Sequence, residues 1–386
     1  MNNYSKVLRL MSFILFLVVL GAVAGTRAQD AKPASGAAPD VLVLSDGDVL
    51  HGKLVKAVGG KVTFHTESLG DVEVAWDKIK ELHAAEKFSV LEKSVKLRGK
   101  KSTAQIPTGT IDVEGAAITV HGENAPAAPI AVKNAAFVVD ADAMDNQIHR
   151  EPSFFGGWNG AATAGATLVQ ATQNQYTFSG GIGLVRTVPT VSWLDPRNRT
   201  QFDFTGSFGK ITQPGTTPSK SAIYHMDVER DEYISSRLFL LVQAAWDHNF
   251  AQDLQLQQIY GGGLGVALMK MPRQEADAKA TVQYEKQSFI GGTEGNQNLI
   301  GSTFALNYVR RSRLFAFTQE LDFVPAYNTP SAYSASEDNT VAFPTYKNFA
   351  FSVGTIDSYL NNAPMGAKRN SFQFTMGMTY AFKSKY

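Results

Sequence analysis

The C-terminal half of the chain alternates large apolar side chains with small or polar ones. The segment from Ser371 to Phe382 shows this pattern most clearly. One face of an extended strand would carry Phe372, Phe374, Met376, Met378, Tyr380 and Phe382, and the other Gln373, Thr375, Gly377, Thr379 and Ala381. A period of two predicts a β-strand. Aromatic residues opposite small polar residues are typical of a strand with lipid outside and a polar lumen inside.

Ten further segments upstream follow the same rule. With the closing segment they lie near residues 158–170, 175–187, 199–210, 220–231, 236–249, 254–269, 275–287, 299–310, 313–324, 346–359 and 369–382. Eleven strands is an odd number, whereas bacterial single-chain barrels contain an even number. We therefore expect one more strand within the long stretch 327–345 and predict a barrel of 10–12 strands, with twelve preferred.

A soluble β-sandwich or a lipocalin-like barrel would also alternate, but its apolar residues would lie inside. Two observations favour a membrane barrel. The polar face carries many small residues, and aromatic residues cluster near predicted strand ends, where interface girdles belong. These aromatic residues are Trp158, Trp193, Tyr233, Trp246, Tyr260 and Tyr359. The predicted fold class is all-β, with a C-terminal antiparallel transmembrane β-barrel after a small β domain.

The first 28 residues have the layout of a secretory signal peptide. Lys6 and Arg9 flank the start of an apolar run, Leu10–Ala24, and small residues follow. Cleavage after Ala24 or after Ala28 fits, and we favour Ala28. An uncleaved anchor is the alternative, but this run of 15 residues is shorter than the roughly 20 that a spanning helix needs. No later run of 18 apolar residues occurs, so a helical membrane protein is not expected.

The remainder divides into four parts. Residues 29–39 are rich in Ala, Pro and Ser and predict a flexible linker. Residues 40–142 contain short β-branched segments and predict a small β domain, which we expect in the periplasm. A second linker, 143–157, leads to the barrel, 158–386.

The small β domain contains an internal repeat. Lys61–Glu67 matches Ala117–Glu123 at an offset of 56 residues, and Val74-Ala75 matches Ile130-Ala131 at the same offset. Asp46-Gly47 indicates a hairpin between two strands. We interpret the region as two small half-barrels, or two SH3-like or Sm-like β units, packed together.

Composition narrows the classes of function. The chain has no cysteine, which excludes disulfides, thiolate metal sites and a cysteine nucleophile. The formal net charge of +1 gives no reason to expect nucleic acid as a partner.

A barrel of this strand number is narrow, so we expect side chains to fill much of its lumen. The polar face of the predicted strands supplies charges of both signs. The candidate lumen residues are His225, Asp227, Glu229, Lys279, Glu285, Glu320 and Asp322.

The closing strand also resembles a C-terminal assembly signal. Thr375, Gly377, Tyr380 and Phe382 fit the pattern polar-x-Gly-x-x-aromatic-x-aromatic, which resembles the terminal signal that the outer-membrane barrel assembly machinery reads. Four residues follow Phe382, and Tyr386 stays in phase with it, which leaves open which aromatic residue ends the signal.

Residues 158–382 resemble the bacterial family of salt-induced outer-membrane proteins, also called domain of unknown function 481. The segments that carry this resemblance are Tyr224–Tyr233, Leu238–Leu240, Trp246–Phe250, Tyr260–Gly265 and Gly377–Phe382. The resemblance implies an outer-membrane barrel. It implies no established activity, cofactor or catalytic residue.

Candidate chemistry outside the family is sparse. Asp247-His248 resembles the acidic–histidine pairing of outer-membrane aspartyl proteases, but neighbours on a strand point to opposite faces. His65 and His121 recur in the repeat, and repeated strand positions explain them as well as a metal does. Gly261–Gly265 lies in an alternating strand and opens no helix, so it indicates relief of crowding rather than a phosphate loop. We therefore predict no catalytic residue, no metal and no cofactor.

Two functions remain open. The first is a structural or envelope-adaptation barrel, for stress or osmotic change, with residues 40–142 binding the cell wall or a periplasmic partner. The second is a narrow channel or transporter for small solutes, and an outer-membrane hydrolase is a distant third. The expected location is the outer membrane of a Gram-negative bacterium. The expected partners are outer-membrane lipid and, during biogenesis, the barrel assembly machinery.

Overall fold

The computed structural model describes residues 39–95, 97, 106–122, 128–149, 153–170, 174–191, 194–212, 218–271, 273–291 and 296–384. The predicted signal peptide, residues 1–28, lies outside the described residues, and so does the linker 29–39 apart from its last residue. Among the described residues, no helix has the length and hydropathy needed to cross a membrane.

The N-terminal domain is one β-sheet, with nine strands in the described part of the chain. The strands are β1 (Asp40–Leu44), β2 (Val49–Val58), β3 (Lys61–Thr66), β4 (Gly70–Ala75), β5 (Ile79–Glu92), β6 (Thr108–Glu114), β7 (Ala117–His121), β8 (Ile130–Ala131) and β9 (Ala135–Asp140). Their order is β4-β3-β2-β1-β5-β6-β7-β8, and β9 pairs with both β2 and β5. The sheet therefore curls back on itself through β9.

Local sequence explains this sheet. The turn between β1 and β2 contains Gly47, whose φ of +100° suits glycine. The buried Asp40 carboxylate accepts hydrogen bonds from the backbone N–H of Leu54 at 2.8 Å and of Ala85 at 2.9 Å, which fixes the start of β1 between β2 and β5. Alternate residues such as Leu42 and Leu82 are fully buried in a single apolar core.

The internal repeat is visible as structure. The succession β2, β3, β4, a 3-10 turn at Trp76–Lys78 and β5 recurs as β6, β7, β8, a 3-10 turn at Val132–Asn134 and β9. The two copies lie in one sheet around one core. A half of this size buries too little apolar surface to be stable alone, so sharing one core is the physically favoured arrangement.

A helix, α1 (Ala141–His149), lies where the second linker is predicted. Met144 and Ile148 are one turn apart and pack with Leu91 and Val139 of the sheet and with Leu194. Leu194 belongs to the barrel, so this helix fills the joint between the two domains.

The C-terminal domain is a closed antiparallel barrel, with twelve strands among the described residues. The strands are β10 (Trp158–Gln170), β11 (Asn174–Val188), β12 (Asn198–Thr212), β13 (Ser219–Tyr233), β14 (Leu238–Asn249), β15 (Leu254–Met271), β16 (Gln274–Phe289), β17 (Gln297–Arg311), β18 (Ala316–Pro325), β19 (Tyr333–Tyr346), β20 (Phe349–Leu360) and β21 (Asn370–Phe382). The predicted fold class is confirmed, and β19 is the strand expected within 327–345.

Candidate functional site

The register of the barrel separates an outer from an inner face. On β21, Phe372, Phe374 and Met376 are exposed, whereas Ser371 and Thr379 on the opposite face are buried. The same division continues around the barrel, where exposed Leu240, Leu264, Val282, Phe304 and Phe351 all face outward. An apolar outside and a polar inside are the reverse of a soluble barrel.

We call the two ends of the barrel proximal and distal. The proximal end is where β10 begins and β21 ends, and it contacts α1. There the side chain of Gln147 accepts a hydrogen bond from the Thr190 backbone N–H at 3.0 Å, and Arg197 donates to the Ile148 carbonyl at 2.7 Å. The N-terminal domain is therefore attached to the proximal end through α1 and the turn between β11 and β12.

The predicted assembly-signal residues lie at the seam that closes the barrel. Thr375 and Gly377 are on the inner face of β21, and Tyr380 and Phe382 are on the outer face. A Cβ atom at Gly377 would overlap the backbone carbonyl of Ala164 on β10, so the close approach of β21 and β10 requires glycine here.

The predicted aromatic girdle is correct only in part. Trp246 and Tyr260 pack edge to face on the outer surface, with ring centroids 5.9 Å apart, and Tyr359 also faces outward. Tyr233 instead points into the lumen, where its ring lies 5.1 Å from that of Phe239. Position near a strand end does not determine the face, because the alternation of β13 places Tyr233 with its inward residues. Trp193 lies outside the described residues.

All seven predicted lumen residues lie on the inner face. They are His225, Asp227 and Glu229 on β13, Lys279 and Glu285 on β16, and Glu320 and Asp322 on β18. The structure divides them between two levels, which the sequence does not distinguish.

The first level, which we call the plug, comprises Arg199, Glu229, Asp231, Phe239 and Lys279 in the proximal half of the barrel. Lys279 Nζ lies 2.7 Å from the Glu229 carboxylate, and these side chains are only 6% and 5% exposed. Arg199 bridges two acids on different strands, Asp231 at 2.6 Å and Asp277 at 2.7 Å. Burial of this kind is tolerated because every charge has an opposite charge beside it.

An aromatic ring completes the plug. Phe239 is fully buried, and the Arg199 guanidinium lies 5.2 Å from its ring centroid, in cation–π geometry. Gly265 on β15 faces the same ring, and a Cβ atom there would overlap it. Gly265, the last glycine of the predicted run, thus makes space for Phe239.

The second level, which we call the acidic chamber, lies between the plug and the distal end. His225 is hydrogen-bonded through Nδ1 to Asp247 at 2.6 Å and approaches Asp227 with Nε2 at 3.4 Å, and its side chain is 44% exposed to the lumen. The inward acids of this chamber are Asp203, Asp227, Asp247, Glu285, Glu320, Asp322 and Asp338. The chamber therefore places seven acidic side chains around one histidine, and it has room for water beside His225.

Side chains also cross the distal mouth. The Gln252 amide donates to the backbone carbonyls of Ser358 at 3.0 Å and Arg369 at 2.9 Å. Asn362 donates to Gln287 at 2.6 Å and to Gln297 at 2.8 Å. We call the two donor side chains, Gln252 and Asn362, the cap. Because the hairpin that contains Gln252 and the loop after β20 are not neighbours around the barrel, the cap spans the lumen.

The structure brings together residues that were not predicted as lumenal. They are Arg199, Asp231 and Phe239 of the plug, Asp277 beside the plug, and Asp203, Asp247 and Asp338 of the chamber. The alternation of each strand could have placed these residues on the inner face. A single sequence does not show how deep in the barrel a side chain lies or which residue it meets across the lumen.

The pair Asp247-His248 does not form a dyad. Asp247 points inward to His225, whereas His248 is on the outer face, stacks on Tyr224 at 5.9 Å and is hydrogen-bonded to the Gln255 carbonyl at 2.8 Å. In the N-terminal domain His65 pairs with Asp71 at 2.7 Å, and Asp112 lies 2.8 Å from both His83 and His121. The described residues contain no group of three or more His, Asp or Glu arranged to hold a metal ion.

A closed barrel with a lipophilic outside and a polar, charge-paired inside defines a transmembrane β-barrel protein of the outer-membrane class. Residues 162–382 match the family model described as "Protein of unknown function, DUF481", and the chain belongs to that family. The resemblance inferred from the sequence is thereby confirmed. No curated protein matches the chain.

Solved structures with similarity to this chain are barrels. A KdgM porin in complex with disordered oligogalacturonate has a TM-score of 0.31 and 9% identity, covering 58% of this chain and 99% of that one. An outer membrane channel from Pseudomonas putida F1 has a TM-score of 0.35 and 9% identity, covering 60% and 99%. The β domain of the Bordetella autotransporter Brka has a TM-score of 0.30 and 11% identity, covering 59% and 98%. At such low TM-scores these similarities carry no argument about activity.

Proposed function

We propose that this protein is a closed outer-membrane barrel that anchors its N-terminal β domain at the membrane, rather than a pore. The observation that supports this most directly is the plug. Arg199, Asp231 and Phe239 fill the proximal half of the lumen, and Asp231 and Phe239 have no exposed surface. A solute path through this level would require separating buried ion pairs, which is costly.

Conductance of the refolded full-length chain in a planar lipid bilayer tests the proposal. The expected result is no discrete current step at moderate voltage, with insertion verified by heat-modifiable migration of the same sample. Reproducible steps from properly folded protein would contradict a closed barrel.

The orientation follows from the turns. Apart from the turn between β11 and β12, which packs on α1, the proximal turns are short, whereas several distal loops are longer. Short turns are typical of the periplasmic side. In this proposal the proximal end and the N-terminal domain face the periplasm, after export by a cleaved signal peptide over residues 1–28.

In this proposal the N-terminal domain, held at the membrane by the barrel, binds a partner in the periplasm. We propose that residues 40–142 bind the cell wall or a periplasmic protein, and that the protein serves adaptation of the envelope to osmotic or other stress. Co-sedimentation with purified cell wall tests the first part. We expect the full-length chain to co-sediment and a chain lacking residues 40–142 to remain in the supernatant. Equal recovery of both would exclude the domain as the binding element.

A narrow channel for cations is the second candidate. It is favoured by the acidic chamber, where His225 is open to the lumen and carboxylates outnumber positive groups. Negative linings concentrate cations. Cation-selective steps from the unmodified chain would favour this candidate over the closed barrel.

A further inference from the structure

The outer surface of the barrel is interrupted by polar side chains on three neighbouring strands. Leu321 on β18 is opposite Glu337 on β19, which is opposite Asp357 on β20. Asp357 is in turn opposite Phe372, which is 63% exposed on the outer face. Two carboxylates therefore lie side by side on the face that contacts lipid.

Among the described residues, the Glu337 carboxylate has hydrogen-bond donors, but neither carboxylate has an ion-pair partner. The Glu337 carboxylate accepts hydrogen bonds from Gln319 at 3.0 Å and Asn339 at 2.8 Å, but Asp357 Oδ1 is buried without a hydrogen-bond partner. In the described part of the chain, no Lys, Arg or His forms an ion pair with either acid. Like charges directly opposite each other on a sheet are destabilising, and acidic groups facing lipid add to that cost.

An apolar groove adjoins the two acids. It has a volume of about 480 Å³ and is lined by Phe304, Leu306, Leu321 and Phe323 as well as by Glu337 and Asp357. Phe304 and Phe323 are about half exposed in the isolated chain. The groove thus presents a hydrocarbon-like trough with two negative charges at its side.

We propose that this groove binds a lipid that carries a primary ammonium group. One acyl chain lies along Phe304 and Phe323, and the ammonium donates hydrogen bonds to Glu337 and Asp357. The ammonium has three donors and one positive charge, so it pairs with both carboxylates and reduces the repulsion between the two like charges.

Charge argues against other occupants. A second copy of this chain, related by a two-fold axis through the groove, would bring the same carboxylates against each other. An anionic lipid would meet the same repulsion. An ammonium lipid matches both the apolar trough and its charge.

Native mass spectrometry of the full-length barrel, released from mixed vesicles, tests the proposal. With equimolar dioleoyl phosphatidylethanolamine and dioleoyl phosphatidylglycerol, we expect about tenfold preferential retention of the ethanolamine lipid. The double variant Glu337→Gln with Asp357→Asn should lose that preference. Glu232→Gln, an outward acid near the proximal end that is paired with Arg230, is the matched control and should retain it.

A second comparison uses the unmodified chain and two different lipids. Phosphatidylcholine has a quaternary ammonium without N–H donors, so the unmodified barrel should retain it less than phosphatidylethanolamine. Equal retention of the two lipids would show that hydrogen bonds from the ammonium do not select the lipid, which would overturn the proposal. If phosphatidylglycerol is retained only when Mg²⁺ is added, the groove binds an anionic lipid through a bridging metal ion. If dimers form without bound lipid, the groove binds a second copy of the chain. Either result would overturn the proposal.

Discussion

Arg199 shows how one side chain holds several strands of the barrel together. It joins β12 to Asp231 on β13 and to Asp277 on β16, and it covers the ring of Phe239 on β14. Asp231 and Phe239 are fully buried, so the loss of Arg199 would leave a buried carboxylate without its counter-charge. The strength of the plug therefore depends on complete pairing.

At this scale we predict that Asp231→Asn lowers the free energy of unfolding by about 3 kcal/mol, because Arg199 loses one of its two buried counter-charges. Glu232→Gln, the next residue, removes only an exposed pair with Arg230 and should cost less than about 1 kcal/mol. Urea unfolding from lipid vesicles measures both. Equal effects of the two changes would show that the plug is not under electrostatic control.

Gly377 is a second position where one residue decides the structure. We predict that Gly377→Val reduces the fraction of heat-modifiable, folded barrel, because its side chain would overlap the Ala164 carbonyl at the seam. The cost expected from such overpacking is about 1–3 kcal/mol. Thr375→Ser, on the same face of the same strand, keeps the polar position of the predicted assembly signal; it is the control and should fold nearly as well as the unmodified chain.

At the scale of elements, α1 is the joint between sheet and barrel. Its buried Met144 and Ile148 face both domains, and Gln147 holds the turn between β11 and β12. Local sequence predicts only a linker here, because nine residues with two large apolar side chains form a weak isolated helix. Contact with both domains stabilises it.

We predict that Met144→Ala loosens this joint by about 2–4 kcal/mol, the usual cost of removing a large buried side chain. Amide hydrogen exchange in the turn between β11 and β12 should become faster, while exchange in β15 and β16 should not change. Ala143→Ser, at an exposed position of the same helix, is the control. Unchanged exchange in Met144→Ala would show that α1 does not hold the turn.

At the scale of the whole molecule, the lumen has two barriers in series. The plug fills its proximal half and the cap crosses its distal mouth. A solute must pass both, so opening one leaves the other in place.

We therefore predict that Phe239→Ala with Arg199→Ala and, separately, Gln252→Ala with Asn362→Ala each remain silent in planar bilayers. The combination of all four should give discrete conductance steps, more cation-selective than anion-selective because of the acidic chamber. Heat-modifiable migration verifies folding of each variant. Steps from the cap variant alone would show that the plug does not seal the lumen.

The sequence alone determined the strands and the face of most residues. Alternation has a period of two, and a one-residue slip would move every apolar side chain to the wrong face, so parity is strongly specified. It identified the outer face of β21 and the inward position of all seven predicted lumen residues. It also predicted a further strand within 327–345, which is β19.

Only the tertiary structure determined how deep in the barrel each side chain lies and which residues it contacts. Arg199 and Asp277 are on β12 and β16, and they meet because closure of the barrel brings distant strands to one lumen. Tyr233 was assigned to a girdle because it lies near a strand end, yet its parity turns it toward Phe239. Likewise, the cap and the acidic outer groove each depend on residues from three or more segments. Periodicity reports which face a side chain occupies, whereas closure and the register between strands determine which residues it meets across the barrel.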